Sequence, residues 1–308
     1  MKRLNVQSKG MRAFKRQMPL HMMLLPGIVM TFIFSYLPLA GLSIAFQDFN
    51  AAKGFLGDQK WIGLDNFAYI FSLSNIWNVL QNTVTIAVAK IILGLIVPVV
   101  VSLMLNELQS RKLQRTIQTI IYFPHFLSWI ILATILADLL SPTTGLVNQL
   151  LNALGMDSIF FMGDNRYFQG TLIWTDIWKE FGYGTVVYMA AITGIDPTLY
   201  EAAAIDGANR WRQTWHVTLP GLRMIILLMM VLSLGNVLNA GFDQVFNMYS
   251  EVVYSSGDIL DTLMYRIGLE SAMFGPATAV GLLKSVISAV LVATAYLIAE
   301  KGFSYQLF

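Results

Sequence analysis

The sequence has no cysteine and little charge. The absence of cysteine from its 308 residues excludes structural disulfides, thiolate metal sites and cysteine nucleophiles. Only 12% of the residues are charged, about half of the roughly 25% usual in a soluble domain, whereas 56% are apolar. A soluble domain of this length needs a charged surface that this composition does not supply, and a net charge of +2 does not indicate nucleic acid as a partner. The composition therefore predicts a polytopic membrane protein.

Catalytic and metal-binding motifs are missing as well. The sequence contains no H-E-x-x-H metal pair, no G-x-S-x-G nucleophile turn and no G-x-x-x-x-G-K-[ST] phosphate loop. The histidines His21, His125 and His216 are not spaced as metal ligands, and His125, beside Pro124, is interpreted as a residue at the start of a span. Because no nucleophile, base and orienting group occur together, we predict no catalytic residue, no metal and no cofactor on this chain. An integral membrane enzyme has little support.

Long apolar runs are what the sequence has in abundance. A helix that crosses the hydrocarbon core needs roughly 20 mostly apolar residues. Six runs qualify, which predicts an all-α membrane protein with transmembrane helices near residues 21–46, 80–105, 119–140, 168–192, 222–241 and 277–299. The first run is too long for a cleavable signal peptide, and no small-residue cleavage site follows it. We therefore predict that it remains in the protein as a span.

Basic residues predict the orientation of the spans. Thirteen of the twenty Lys and Arg lie in residues 1–20, in the 106–118 and 193–223 connections and in the tail, against four in the connections of the other side. The positive-inside rule then places both termini in the cytoplasm. We divide the chain into a basic cytoplasmic N-terminal segment, 1–20, and a transmembrane domain, 21–308. The basic segment is interpreted as a topology anchor, or alternatively as a surface helix that docks a partner.

Two outer connections differ in character. Residues 47–79 contain several aromatic side chains that suit the membrane interface. Residues 242–276 are too apolar to be fully solvated and too polar to span. A re-entrant or cavity-facing segment is expected there.

The 193–223 connection is predicted to contain a short helix. Asp196 is a good N-cap, and Pro197 suits the first helical position. The helix should continue through Glu201 and the three alanines that follow it, and Gly207 permits a turn at its end. Because alanines let another protein approach closely, this helix is a candidate docking element for a cytoplasmic partner. An ordinary helical connector is the alternative.

The same connection resembles the EAA signature of the permease subunits of ABC importers, in which E-A-A is followed after three residues by G and after nine more by I-x-L-P. The chain has this spacing in Glu201, Ala202, Ala203, Gly207, Val217, Leu219 and Pro220, with Val217 in place of isoleucine. A second proline that often follows is absent. Residues 122–126, 205–208 and 278–285 also resemble the carbohydrate-uptake branch, and within it the permeases for complex oligosaccharides of Gram-positive bacteria.

The resemblance implies a type I importer permease in a bacterial cell membrane, which imports a sugar or oligosaccharide by alternating access. It implies two ATP-binding subunits that hold ATP and Mg²⁺, a second permease subunit in a heterodimeric pore and an extracytoplasmic sugar-binding protein, all surrounded by membrane lipid. It also implies that the short helix couples to the ATPase and that Glu201 meets a basic group there. The implied coupling residues are Glu201, Ala202, Ala203, Asp206, Gly207, Leu219 and Pro220.

The predicted fourth span carries charges that are expensive inside a membrane. Asp176, Lys179, Glu180 and Tyr183 follow one helical face. We interpret this face either as a buried ion pair, with Lys179 bonded to Asp176, or as a polar wall that hydrogen-bonds a sugar. An alternative function is a secondary transporter in which Asp176 or Glu180 carries a coupling proton.

Two tryptophans lie nearer the opposite face of this span. Trp174 and Trp178 are interpreted as interface anchors or as sugar-stacking platforms. Gly182 and Gly184 could break the helix and bring Trp178 and Tyr183 to one cavity. An aromatic pair at this spacing belongs to the substrate site in maltose-type relatives, so the resemblance implies that role for Trp178 and Tyr183.

The predicted fifth span places four polar residues within an arc of about 120°: Ser233, Asn236, Asn239 and Asp243. Helix–helix hydrogen bonds and a substrate path are both open interpretations. The candidate substrate-binding residues are therefore Trp178, Lys179, Glu180, Tyr183, Ser233, Asn236, Asn239 and Asp243. Of the lone basic residues in spans, Lys284 is expected to pair with an acid and Lys90 to snorkel.

Overall fold

The computed structural model describes residues 4–303 except 56 and 236, with side-chain surroundings for residues 17–294 of that range. The described chain is mostly helical. Its α-helices are α1 Leu4–Thr31, α2 Asp65–Ser72, α3 Ile76–Asn106, α4 Arg111–Tyr122, α5 Trp129–Leu139, α6 Leu146–Ala153, α7 Asn165–Thr193, α8 Pro197–Ile205, α9 Arg210–Gln213, α10 Leu219–Leu234, α11 Phe242–Met248, α12 Tyr254–Gly257, α13 Leu260–Tyr265 and α14 Phe274–Phe303.

Shorter pieces connect these helices. The π-helical pieces are Phe32–Tyr36, Thr214–Thr218 and Arg266–Glu270, and the 3₁₀ pieces are Leu37–Phe46, Ala51–Lys53, Phe123–Phe126 and Glu251–Val253. One antiparallel ribbon pairs β1, Gln47–Asp48, with β2, Lys60–Trp61, so that Gln47 lies opposite Trp61.

Four helical stretches of the described residues are long and apolar enough to cross a membrane: Gln17–Phe46, Ile76–Asn106, Arg210–Leu234 and Phe274–Thr294. They overlap the predicted first, second, fifth and sixth spans. A fifth crossing results if the bent pair Arg111–Phe126 and Trp129–Leu139 is counted as one span. The first stretch is almost entirely exposed, and its apolar surface is of the kind that lipid or a neighbouring subunit covers.

The segment predicted as the third span, 119–140, is not a single helix. The helices α4 and α5 meet at an angle of 105°. Between them the chain forms a corner, residues 123–128, in which the buried Pro124 supplies no backbone donor. Ser128 then begins α5 as its N-cap, because its hydroxyl accepts a hydrogen bond from the Ile131 amide at 3.4 Å.

The predicted fourth span is a single helix, α7, at the centre of the bundle. Its 29 residues reach roughly 44 Å, which is enough to cross a bilayer. Because it carries charged residues, it is not one of the four apolar stretches named above. It packs along α3 and also contacts α4, α10, α11 and α12. Because α7 contacts all five of these helices, it lies at the centre of their packing.

The expectation that Gly182 and Gly184 break this helix is wrong. Both glycines lie inside the continuous α7. A Cβ atom at Gly182 would fall 1.9 Å from the carbonyl oxygen of Ile121, and one at Gly184 would fall 2.9 Å from Cγ of Pro98. The missing side chains therefore permit close packing of α4 and α3 against α7 rather than a bend.

The predicted fifth span ends earlier than expected. The helix α10 stops at Leu234, and the chain becomes helical again at Phe242, after Gly241 in a left-handed conformation with φ of +92°. Ser233, Asn239 and Asp243 therefore do not share one helical face, and that prediction is wrong. Asn236 lies outside the described residues.

The connection 242–276 folds into short helices that pack on the N-terminal ends of α3 and α7. The carboxylate of Asp258 is buried, accepts a hydrogen bond from Thr262 at 2.8 Å and lies 2.5 Å from Nη2 of Arg266. Asn82 of α3 donates to the carbonyl oxygens of Ser255 and Asp258, both at 3.1 Å. The bonds from Asn82 hold the connection 242–276 against α3.

Candidate functional site

A polar cavity of about 670 Å³ lies between α3, α7 and the break that follows α10. This volume is in the range of small-molecule sites, about 300–1,000 Å³. Three of the predicted substrate residues, Glu180, Ser233 and Asn239, belong to its wall. The full lining is Ala87, Lys90, Ile91, Gly94, Asp176, Glu180, Ser233, Asn239 and Gly241.

Lys90 joins three elements in this wall. Its Nζ lies 3.2 Å from Oδ1 of Asp176 on α7, and it donates at 2.7 Å to the carbonyl oxygen of Ala240 in the break. It also donates to Oε1 of Gln244 on α11. Only 9% of the Lys90 side chain is exposed. The expectation that Lys90 snorkels is therefore wrong, because its charge is satisfied where it lies.

Gln244 continues this network towards α7, and sequence reasoning did not single it out. The residue is fully buried, and its Nε2 donates to the carbonyl oxygen of Leu172 at 2.7 Å and to the hydroxyl of Thr175 at 2.8 Å. A buried amide with every polar atom paired holds the break after α10 at a defined distance from α7. Its helix α11 is short, and nothing in the local sequence pattern distinguishes this glutamine from a solvent-facing one.

Lys179 pairs with Glu180 and not with Asp176, so the predicted Lys179–Asp176 pair is wrong. Its Nζ lies 2.7 Å from Oε1 of Glu180 and donates at 3.0 Å to the carbonyl oxygen of His125. Asp176 faces Lys90 instead. Each lysine of the cavity region is thus neutralised by a carboxylate of α7.

His125 is the functional candidate that sequence reasoning missed. Its Nδ1 lies 2.7 Å from Oε2 of Glu180, and its ring stacks on that of Tyr183 with centroids 4.1 Å apart and an interplanar angle of 3°. The interpretation as a residue that simply starts a span is incomplete. The neighbouring Pro124 marks the corner, but the partner of His125 lies 55 residues further along the chain, where no local pattern points to it.

Of the other predicted substrate residues that the structure describes, Trp178, Lys179, Tyr183 and Asp243 do not line the polar cavity. Trp178 and Tyr183 are about half exposed and are not among the residues that line it. Because α7 stays helical, side chains five residues apart point about 140° apart. Trp174 lines a different groove, beside Leu140, and Asp243 is exposed in the first turn of α11. Roles for these side chains in binding stay predictions.

The predicted short helix of the 193–223 connection is present as α8, Pro197–Ile205. Asp196 is its N-cap, and its side chain accepts a hydrogen bond from the Thr198 amide at 2.9 Å. This bond from the backbone keeps the pKa of Asp196 below its ordinary value, because it favours the ionised carboxylate. The predicted start of the helix is confirmed.

The end of α8 is also as predicted. Gly207 takes a left-handed conformation with φ of +74°. The Ala208 amide then donates to the carbonyl oxygen of Ala203 at 2.9 Å, and the Gly207 amide donates to that of Ala204 at 3.0 Å. These two bonds form a Schellman motif, for which glycine is the favoured residue.

The helix α8 presents an exposed surface at the end of α7. None of its residues is buried, and Ile205 is 87% exposed. Two contacts hold the helix to the start of α10: the hydroxyl of Tyr200 lies 3.0 Å from that of Thr218, and Ile195 packs against Gly221. The other predicted coupling residues are exposed or half-buried: Glu201, Ala202, Ala203, Asp206, Gly207, Leu219 and Pro220.

Comparison with known proteins identifies the family to which this chain belongs. Residues 91–301 match the family described as binding-protein-dependent transport system inner membrane component. Protein LplB of Bacillus subtilis (strain 168) is 38% identical, over 94% of this chain and 91% of its own length. The polygalacturonan/rhamnogalacturonan transport system permease protein YteP of the same organism is 37% identical, over 93% of this chain and 89% of its own length.

Solved structures agree with these relatives. A chain in the crystal structure of a bacterial ABC transporter involved in the import of the acidic polysaccharide alginate has a TM-score of 0.88 and 35% identity, covering 96% of this chain and 99% of that chain. A chain in the crystal structure of the bacterial alginate ABC transporter in complex with an alginate pentasaccharide-bound periplasmic protein has a TM-score of 0.85 and 35% identity, covering 94% of this chain and 96% of that chain. This chain therefore belongs to the family of binding-protein-dependent transport system inner membrane components, and it is a permease subunit of an ABC importer with the type I permease fold.

Proposed function

We propose that this chain imports a sugar or oligosaccharide, and that α8 couples its spans to ATP hydrolysis. The observation that carries the proposal is that one helix links the cavity to α8. Asp176 and Glu180 of α7 line the cavity, and only three residues separate the end of α7 from the exposed α8. A displacement of α8 by a partner is transmitted along a rigid helix to the cavity. Carbohydrate transport by similar proteins supports this proposal: YteP is a polygalacturonan/rhamnogalacturonan permease, and the structurally similar transporter imports alginate.

ATP and Mg²⁺ are bound by two ATP-binding subunits in this proposal, and no cofactor is bound by this chain. The apolar Ile205 and Leu199 suit a cleft of the ATPase, because their exposed surface gains from burial. Glu201 is suited to meet a basic group there. A second permease subunit completes the pore, and an extracytoplasmic binding protein delivers the sugar.

We further propose six crossings with both termini in the cytoplasm. The bent pair α4–α5 and the helix α7 supply the two crossings beyond the four apolar ones. Residues 1–20 then form the cytoplasmic segment and residues 21–308 the permease domain. The basic residues of positions 1–20 and those of the α3–α4 and α8–α10 connections support this orientation, because positive charge is retained on the cytoplasmic side.

The polar cavity suits sugar hydroxyl groups. Lys90 of the wall is paired with Asp176, and Lys179, which does not line the cavity, is paired with the wall residue Glu180, so the wall carries hydrogen-bonding groups rather than a free positive charge. We assign the binding of hydroxyl groups to Glu180, Ser233 and Asn239. Trp178, Lys179, Tyr183, Asn236 and Asp243 remain further candidates for the substrate path.

The test is ATP hydrolysis by the complete complex, purified through a tag on this chain and placed in liposomes. Its binding protein is loaded in turn with trigalacturonate, an alginate trisaccharide, maltotriose and chitotriose. We expect hydrolysis to rise with one or more of these sugars, and the acidic and neutral members separate the two substrate classes. Accumulation of a sugar from a pH gradient without ATP would contradict the proposal and support proton coupling through Asp176 or Glu180.

A further inference from the structure

One residue of the α4–α5 corner is held by three side chains of α7. Glu180 contacts the ring nitrogen of His125 at 2.7 Å, Lys179 donates to the His125 carbonyl oxygen at 3.0 Å, and Tyr183 stacks on the His125 ring. The three residues follow one another on the same face of α7. His125 thus joins the corner to α7 through three side chains of that helix.

A tight backbone contact lies beside this fastening. At Gly182 a Cβ atom would fall 1.9 Å from the carbonyl oxygen of Ile121, so α4 touches α7 directly there. On the other side of the corner, the ring of Trp129 at the start of α5 lies 5.6 Å from Nζ of Lys179. The contact at Gly182 is positioned to act as a pivot about which the bent pair α4–α5 turns.

The fastening itself is weak enough to open. The side chain of Glu180 is 41% exposed and that of His125 is 29% exposed. Contacts between side chains with this exposure contribute little to stability, because water competes for both partners. Glu180 also lines the polar cavity, so a group that enters the cavity competes for the same carboxylate.

We propose that His125 is a positioning residue and that the contact between His125 and Glu180 is a latch of the transport cycle. The latch holds the α4–α5 corner against α7 until a sugar hydroxyl competes for Glu180. Its release lets the corner turn about Gly182 and changes the position of α7, which carries α8. This inference rests on the proposed function, because it assumes a sugar in the cavity and an ATPase at α8.

The first test measures ATP hydrolysis without binding protein. His125→Phe keeps a ring that can stack on Tyr183 and removes the contact with Glu180. We expect this variant to hydrolyse ATP about fivefold faster or more without binding protein, and to be stimulated less by it, since conformational coupling of this kind is typically worth at least that factor. Phe126→Leu is the matched control, because Phe126 lies in the same corner and is 74% exposed.

A double substitution separates the latch from a merely structural role. If His125 acts through Glu180, His125→Phe combined with Glu180→Gln should raise unstimulated hydrolysis no further than the larger single effect. Additive effects, or a His125→Phe variant with unchanged unstimulated hydrolysis and unchanged stimulation, would overturn the proposal.

A reversible lock gives a second test that does not depend on the stability of His125→Phe. The chain contains no cysteine, so His125→Cys with Glu180→Cys introduces the only two thiols on it. A short bis-methanethiosulfonate reagent should bridge them, abolish stimulation by the binding protein and the panel sugar that stimulates the unmodified complex, and be reversed by dithiothreitol. The cysteine-free parent, treated identically, controls for thiols of the partner subunits.

The outcomes separate the two proposals. A bridged complex that retains full stimulation would overturn the latch. An unmodified complex that no panel sugar stimulates would overturn the proposed function instead, and the unstimulated hydrolysis of His125→Phe would still report on the latch.

Discussion

Lys90, Lys179 and Lys284 inside the bundle are each paired with an acidic residue. The position of that acidic residue in the chain decides whether the pair could be predicted from the sequence. Lys284 lies 2.5 Å from Asp261, which confirms the expectation that it has an acidic partner. Lys179 pairs with its sequence neighbour Glu180. Lys90 pairs with Asp176 of another helix, and the local sequence around Lys90 contains no acid that could have indicated this.

The pair of Lys90 and Asp176 leads to a stability prediction. Lys90→Met should destabilise the protein by about 3–5 kcal/mol, because it leaves the carboxylate of Asp176 buried without a partner. Adding Asp176→Leu should restore part of this loss, since both charges are then absent. The measurement is the unfolding midpoint of the purified complex. The exposed Lys53, changed to Met, is the control, and a Lys90→Met variant as stable as this control would contradict the prediction.

The helices packed against α7 decide whether its glycines interrupt it. Its glycines resemble helix breaks in the sequence, yet the helix is continuous because Gly182 and Gly184 face the backbone of α4 and the ring of Pro98. A glycine inside a helix costs about 0.5–1 kcal/mol relative to alanine. Close packing of two backbones compensates for this cost.

Two alanine substitutions in α7 should therefore have opposite effects. Gly182→Ala should destabilise the protein by about 1–3 kcal/mol, because its Cβ overlaps the Ile121 carbonyl oxygen. Gly170→Ala in the same helix should be neutral or stabilise by up to about 1 kcal/mol, because no atom lies within 4 Å of its Cβ position. Unfolding midpoints of both variants check this, and equal midpoints would show that the close approach carries no energy.

The end of α8 has a matched counterpart on another helix. Gly207 after α8 and Gly155 after α6 have φ of +74° and +77°, and a Cβ at either meets no atom within 4 Å. Alanine at each position should cost about 1–2 kcal/mol through backbone strain alone. If α8 couples to the ATPase, Gly207→Ala should reduce sugar-stimulated ATP hydrolysis more than Gly155→Ala does. Equal stimulation in both variants would contradict the coupling role of α8.

At the scale of the whole molecule, the arrangement of the spans decides which connections face the cytoplasm. The proposed six crossings put Lys53 and Asp157 outside and Lys112 and Ala204 inside. All four side chains are exposed, and the chain has no cysteine of its own. The proposed topology is therefore open to direct labelling.

Single cysteines at these four positions test the topology. A membrane-impermeant maleimide should label Lys53→Cys and Asp157→Cys in intact cells, and should label Lys112→Cys and Ala204→Cys only after permeabilisation. Labelling of Asp157→Cys only after permeabilisation would mean that the bent pair α4–α5 does not cross the membrane.

Features that depend on neighbours in sequence were predictable from the sequence. The apolar runs indicated the spans, because the free energy of transfer into lipid is summed residue by residue along a helix. The N-cap Asp196 and the terminal Gly207 of α8 were predictable, because their hydrogen bonds join residues at most five positions apart. The permease family could likewise be named from the spacing of the EAA loop.

Only the tertiary structure decided which polar groups meet. The contacts of Lys90, Gln244 and His125 all join segments that are distant in the chain. Inside a membrane-spanning bundle, a polar group is stable only beside a partner that satisfies it, and that partner is determined by how the helices pack. The sequence by itself determined that this protein is a membrane permease with a short capped helix in its 193–223 connection, and the packing of α3 and of the break after α10 against α7 determined the composition of its cavity.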